Sequence, residues 1–244
     1  MPDPTWYQAA EAVKPYIVRI STPRGHGTGF VVGATGGLFA IATAAHVLEE
    51  AHYWEEPIRI HHDESNQTGL LRRADRAIVL YRDQDSAALY LGRGDFGFPE
   101  QPLPLAPPGR FLRVGNEIAW LGYPAVVRSA MCFFSGRISA FDAGDGAYLV
   151  DGVAINGVSG GPAFHLAIEG EPARVIGLVS AYVPNRATGE ALPGLSIIRD
   201  VSKLHEVSAT IGSLEEAKEK ESPPEEPPAQ PEVEQAEPEP IDPA

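Results

Sequence analysis

An all-β, antiparallel fold, barrel or sandwich, is predicted by three observations. Short β-rich runs come in two series, Gly, Pro and Asp clusters punctuate them, and 244 residues suffice for one large β-rich domain or two small lobes. At the N-terminus, Thr5 is placed to cap a short helix reaching about Lys14, because Trp6, Ala9, Ala10 and Val13 fall at helical spacing before Pro15 stops it. The first series follows at residues 16–21, 29–32, 38–42, 58–61, 77–81 and 87–91, giving a lobe over about 15–93. Residues 94–109, rich in Gly and Pro, read as an interlobe linker. The second series, at 117–122, 132–140, 147–150, 163–166, 175–180 and 195–198, gives a lobe over about 110–200. Residues 200–211 read as a closing helix packed on that lobe, so the folded unit ends near 212. Residues 213–244 contain eight prolines and almost no large apolar side chain, too little to offset the entropy of ordering. They read as a disordered, solvated tail, the alternative being a docking arm for a protein partner.

The tail holds ten Glu and one Asp against two Lys, a net of −9 out of −14, which leaves −5 for the body. No basic stripe is visible along the chain, so phosphate neutralisation, and with it nucleic-acid binding, has no support. The single cysteine, Cys132, excludes an intramolecular disulfide and argues for a reducing compartment. It lies in an apolar run beside Met131 and Phe133, where a buried free thiol is commoner than a nucleophile. The first residues have no charged, apolar leader pattern, and no stretch has about 18 unbroken apolar residues for a membrane span. A soluble, cytoplasmic protein is the expectation.

Chemistry concentrates in three segments. Asn156-Gly157-Val158-Ser159-Gly160-Gly161-Pro162 surrounds a serine with glycines. A serine hydroxyl needs a base within hydrogen-bond reach and donors aimed at the oxyanion it creates. Gly157 allows its own N–H and that of Ser159 to point at one spot, and Gly160 and Gly161 let the chain pass close behind. Thr43-Ala44-Ala45-His46-Val47 presents a histidine at a strand end among small residues, which suits a general base. Asp85, in Asp83-Gln84-Asp85-Ser86, directly precedes a small apolar strand where a carboxylate can hold an imidazole tautomer, with Asp83 as the alternative. The pair His61-His62 suggests a metal at first sight, but adjacent residues face opposite sides of a strand and no third ligand is apparent. No metal or other cofactor is expected.

These three segments, in this order, resemble the histidine, aspartate and serine motifs of the trypsin-like serine peptidases. Trp120-Leu121-Gly122-Tyr123-Pro124, Gly136-Arg137-Ile138, Gly177-Leu178-Val179-Ser180 and Gly194-Leu195-Ser196 resemble later strands of the family, so the similarity covers about residues 15–207. The style is closest to bacterial HtrA-like peptidases without a PDZ domain, since the chain runs straight into its acidic tail. The resemblance implies two six-stranded antiparallel barrels and a Ser159–His46–Asp85 triad acting on peptide or protein substrates through an acyl-enzyme. It also implies an oxyanion hole from the N–H groups of Gly157 and Ser159, and a specificity pocket from Val153, Ser180, Ala181 and Tyr182. Val153 stands where trypsin carries its pocket aspartate, so small or medium apolar residues are expected before the cut. Val158 stands where animal digestive relatives carry an aspartate before the serine, so activation by N-terminal cleavage is not expected.

Two other readings compete. Gly157-Val158-Ser159-Gly160-Gly161 also fits the nucleophile elbow of α/β hydrolases, but strand follows strand here where that fold alternates strands with helices. The second is a silent or partner-gated barrel that captures an extended peptide by strand addition.

Overall fold

The computed structural model describes residues 4–94, 96–127, 130–166, 173–184 and 191–221, with the side chains of 4, 182–184, 191–193, 215 and 218–221 outside that description. Helix α1 (Pro4–Val13) runs into a short 3-10 turn (Lys14–Tyr16), where Pro15 ends it. Its Ala9 and Val13 are buried, and Trp6 meets Phe133 and Phe164 edge-on.

The first lobe is one sheet of β1 (Ile17–Thr22), β2 (Gly25–Ala34), β3 (Leu38–Thr43), β4 (Ile58–His62), β5 (Gln67–Leu71), β6 (Arg76–Tyr81) and β7 (Ser86–Gly92). Its order is β5-β4-β1-β2-β3-β7-β6. The all-β expectation stands, with a correction to this lobe: it is a seven-stranded open sheet, a half-barrel, where a six-stranded barrel was expected. The extra strand, β5, carries Gln67, Thr68 and Gly69 and pairs only with β4, so it lacks the apolar alternation that marks a strand in sequence.

The second lobe closes as a barrel of β8 (Glu117–Gly122), β9 (Cys132–Asp142), β10 (Ala147–Asp151), β11 (Pro162–His165), β12 (Arg174–Pro184) and β13 (Ala191–Asp200), in the order β10-β13-β12-β11-β8-β9. Cys132 is half-buried at the start of β9, a less enclosed position than expected.

Helix α3 (Ser202–Glu221) continues nine residues past the boundary at 212. Val201, Leu204, Val207 and Ile211 are buried, whereas Leu214 is exposed, so the apolar contact ends where the tail was read to begin. The rest of the tail, 222–244, lies outside the described residues. The interlobe segment is anchored: Phe98, Leu103 and Ala106 are buried, and Ala106 N–H donates to Val175 O at 2.7 Å.

Packing explains why some strands read as unbroken apolar runs. On β3, Phe39 and Ile41 face the interior of the first lobe, while Ala40 and Ala42 face the core shared with α1, α3 and the second barrel. On β7, Leu89 and Leu91 face the first core while Ala88 and Tyr90 face the second. Such strands are covered on both sides, and each large apolar side chain fully buried there contributes about 1.5–3 kcal/mol. On β4, by contrast, Ile58 and Ile60 are buried and Arg59 is exposed, the alternation of a strand with one open face.

Candidate active site

Helix α2 (Ala45–Tyr53), which the sequence reading does not contain, begins one residue before His46. A helix start leaves N–H groups unpaired, and Ala44 supplies no side-chain cap. Asp85 supplies it from across the sheet. Its backbone oxygen accepts from Ala45 N–H at 3.1 Å and its Oδ1 from His46 N–H at 3.0 Å. The same carboxylate holds the ring, with Nδ1 at 3.0 Å from Oδ1 and 2.9 Å from Oδ2. A carboxylate accepts only, so Nδ1 carries the proton and Nε2 keeps a free lone pair. Asp85 sits in the left-handed region (φ 42°), between a 3-10 turn (Arg82–Gln84) and β7, a conformation that Asp tolerates better than most residues.

Ser180 completes this cluster. Its hydroxyl donates to Asp85 Oδ2 at 2.6 Å, and its side chain is buried. Burial alone would raise the pKa of Asp85, but the hydrogen bonds from His46 and Ser180 outweigh it and hold the carboxyl below its ordinary value. Ser180, expected in a specificity pocket, faces the aspartate, and it stands where the register of β12 against β13 shifts between Val179 and Ala181. Ala181 is half-buried and Val153 is 46% exposed. The side chain of Tyr182 lies outside the described residues.

The serine loop is fastened to the first lobe at several points. Thr28 N–H donates to Ser159 O at 2.8 Å, and Thr28 Oγ1 donates to Gly157 O at 2.8 Å while accepting from Tyr123 N–H at 3.0 Å. Thr43 Oγ1 donates to Thr28 O at 2.7 Å, tying this strand to the segment that carries His46. Gly160 has φ +86°, and a Cβ there would stand 2.1 Å from Thr28 O and 2.2 Å from Thr43 Oγ1. Close packing of Gly160 on Thr43 and Ala44 is thus what brings Ser159 beside the start of α2. Among the described residues no hydrogen bond joins Ser159 Oγ to His46 Nε2.

Gly157 has φ +93°, a backbone that favours glycine. The N–H of Val158 turns inward to Ile155 O at 3.1 Å and that of Gly160 goes to Val179 O at 2.6 Å. The N–H groups of Gly157 and Ser159 donate to no group among the described residues, the disposition an anion would need. Sequence reading does not single out Thr28, the bond of Thr43 to it, or the contact of Ser180 with Asp85. Thr28 lies between Gly27 and Gly29, and that spacing was its only local signal.

The described residues contain no group of three or more His, Cys, Asp or Glu side chains arranged for a metal. His61 Nε2 pairs with Asp63 Oδ1 at 2.8 Å, and His62 is buried with Nε2 on Pro15 O at 2.9 Å and Nδ1 on Ser65 Oγ at 2.8 Å. Among the described residues no helix is long and apolar enough to cross a membrane.

A family model described as a trypsin-like peptidase domain matches residues 27–178. Three solved structures share the fold. The Rv3671c protease of M. tuberculosis H37Rv, in an inactive form, is 21% identical with TM-score 0.58, over 86% of this chain and 97% of that one. A serine endoprotease from Yersinia pestis is 16% identical with TM-score 0.63, over 89% and 69%. Deg5 is 20% identical with TM-score 0.61, over 83% and 91%. No curated protein matches the sequence.

Proposed function

The chain belongs to the trypsin-like peptidase family, and from that premise we propose that it is a serine endopeptidase with Ser159 as nucleophile, His46 as general base and Asp85 as the orienting acid. The observation that carries this reading is the Asp85–His46 pair, 2.9 Å apart, together with a serine loop in which the N–H groups of Gly157 and Ser159 donate to no group among the described residues.

In this mechanism Ser159 Oγ attacks the peptide carbonyl carbon while its proton passes to His46 Nε2. The carbonyl oxygen takes up the negative charge facing the N–H groups of Gly157 and Ser159, where loss of one donor typically costs about 2.7–4 kcal/mol. Asp85 stays ionised and stabilises the imidazolium through Nδ1–H. Collapse breaks the C–N bond, His46 gives its proton to the leaving amine, and an ester of Ser159 remains. Water then attacks the ester, gives a proton to His46, and Ser159 leaves with that proton. Val153 offers no charge to a Lys or Arg side chain, so cuts are expected after small or medium apolar residues.

A partner-gated site is the second reading, favoured by the missing Ser159–His46 hydrogen bond, although such bonds are often loose before substrate arrives. Labelling with a fluorophosphonate probe separates the two. A mass-mapped adduct on Ser159, absent in a folded Ser159→Ala variant, and cleavage of a proteome-derived peptide mixture are expected. A folded, unlabelled wild type overturns the peptidase reading in favour of the gated one.

A further inference from the structure

A cavity of about 1010 Å³ opens beside Gly157, on the outer face of the first lobe. Its lining includes Arg19, His26, Arg59, His61, Tyr123 and Ala125. Strand alternation places the charges there. On β4 the inward residues Ile58 and Ile60 are buried, so Arg59 and His61 both face the cavity. Register aligns them with neighbours in two rows. Thr68, His61 and Arg19 form one, and Leu70, Arg59, Ser21 and His26 the other.

The second row ends at the candidate anion hole. His26 Nε2 lies 2.8 Å from the point where a Cβ on Gly157 would stand. Ala125 N–H donates to Asn156 O at 2.7 Å, which fastens the far wall of the cavity to the same loop. Nearby carboxylates are already engaged: Glu50 and Glu56 with Arg24, Glu64 with Lys14, and Asp63 with His61. Arg59 is exposed and makes no ion pair among the described residues. Arg19 is held with its guanidinium 5.5 Å from the centre of the Tyr123 ring. The cavity wall therefore carries two guanidiniums, with no carboxylate among the residues that line it.

We propose that this cationic groove binds the substrate segment on the leaving-amine side of the cut bond and selects acidic side chains there. The inference rests on the peptidase reading, which assigns the acyl side to Val153 and β12 and leaves the flank of Gly157 to the other half of the substrate. Neighbouring strands lie about 4.8 Å apart, so Arg59, two strands from His26, is about 10 Å further out. An extended chain advances about 3.3 Å per residue, which brings its third or fourth residue past the bond to Arg59. The chemistry of recognition is guanidinium to carboxylate. Nucleic acid is a poorer occupant, because two guanidiniums on one wall are too few to follow a phosphate backbone.

The test measures binding to the full chain carrying Ser159→Ala, so that no cleavage intervenes. Fluorescein-labelled Ala-Ala-Ala-Val-Ala-Ala-Glu-Glu-Ala-Ala is compared, by anisotropy, with the same peptide bearing two lysines and with a single-stranded oligothymidine. Attraction of a glutamate to the exposed Arg59, against repulsion of a lysine there, should make the Glu peptide bind about fivefold tighter than the Lys peptide at low salt. Arg59→Glu should reverse that order, and Arg59→Gln should level it. Equal binding of the two peptides, no binding of either, an order untouched by Arg59→Glu, or tighter binding of the oligothymidine overturns the groove. Fluorophosphonate labelling of the wild type and of Arg59→Glu reads Ser159 separately. Labelling without acidic preference removes the groove and keeps the peptidase, whereas acidic preference without labelling keeps the groove and removes the peptidase.

Discussion

The two lobes meet at one site but hold their contributions in different ways. The first lobe is an open sheet, and it presents His46 and Asp85 through a helix start and a turn, joined by four hydrogen bonds within a small cluster. The second is a closed barrel, and it presents Ser159 on a loop whose Gly160 lies too close to Thr28 and Thr43 of the first lobe for any Cβ. Electrostatics orients the one and steric fit places the other. Charge and hydrogen-bond changes should therefore act on the first contribution with little effect on folding, while added volume should act on the second through stability.

The largest effect that would sharpen this contrast is on Asp85. In Asp85→Asn the amide still accepts the His46 backbone N–H, but it stabilises the wrong imidazole tautomer, so kcat should fall on the order of 10⁴-fold. The melting temperature should move little by comparison, and steady-state kinetics beside thermal unfolding checks both. A variant that unfolds as it loses activity would break the comparison, because Asp85 would then be a structural cap first. Gly160→Ala is the converse. A methyl group 2.1 Å from Thr28 O at positive φ has no room, and a loss on the order of 3 kcal/mol is expected in urea unfolding. Near-wild-type stability would mean that the serine loop can back away from Thr43 and is not sterically placed.

The smallest effect concerns His62, which lies in the first lobe away from the chemistry. Pro15 O only accepts, so Nε2 carries the proton and Nδ1 accepts from Ser65 Oγ. Burial holds the ring below its ordinary histidine value. The unfolded chain then binds the proton first, so stability is full above about pH 6.5 and is lost as the pH falls through the lowered folded value. Unfolding free energies at pH 7 and pH 5 should drop in the wild type and drop less in His62→Gln. An equal drop in both would assign the acid sensitivity elsewhere.

Much of the fold was legible because strand signals are local. The continuous runs at 38–42 and 87–91 and the alternation at 58–61 follow from whether one or both faces are covered. The linker was legible from its Gly and Pro content, although its Phe98 and Leu103 turn out to be core residues. Strand β5 was not legible, because an edge strand stabilised by pairing with β4 needs no apolar pattern. Helix α2 was hidden for a related reason, since its cap comes from Asp85, 39 residues away from His46.

By itself the sequence determined the β class, the two-lobe division and the three segments in which His46, Asp85 and Ser159 stand, since each depends on residues adjacent in the chain. Only the tertiary structure decided that Ser180 turns to Asp85, that Thr28 braces the serine loop, and that Arg19, His26, Arg59 and His61 share one wall. Those neighbours are set by strand register and by the packing of one lobe on the other, and register joins residues whose separation along the chain carries no mark of it.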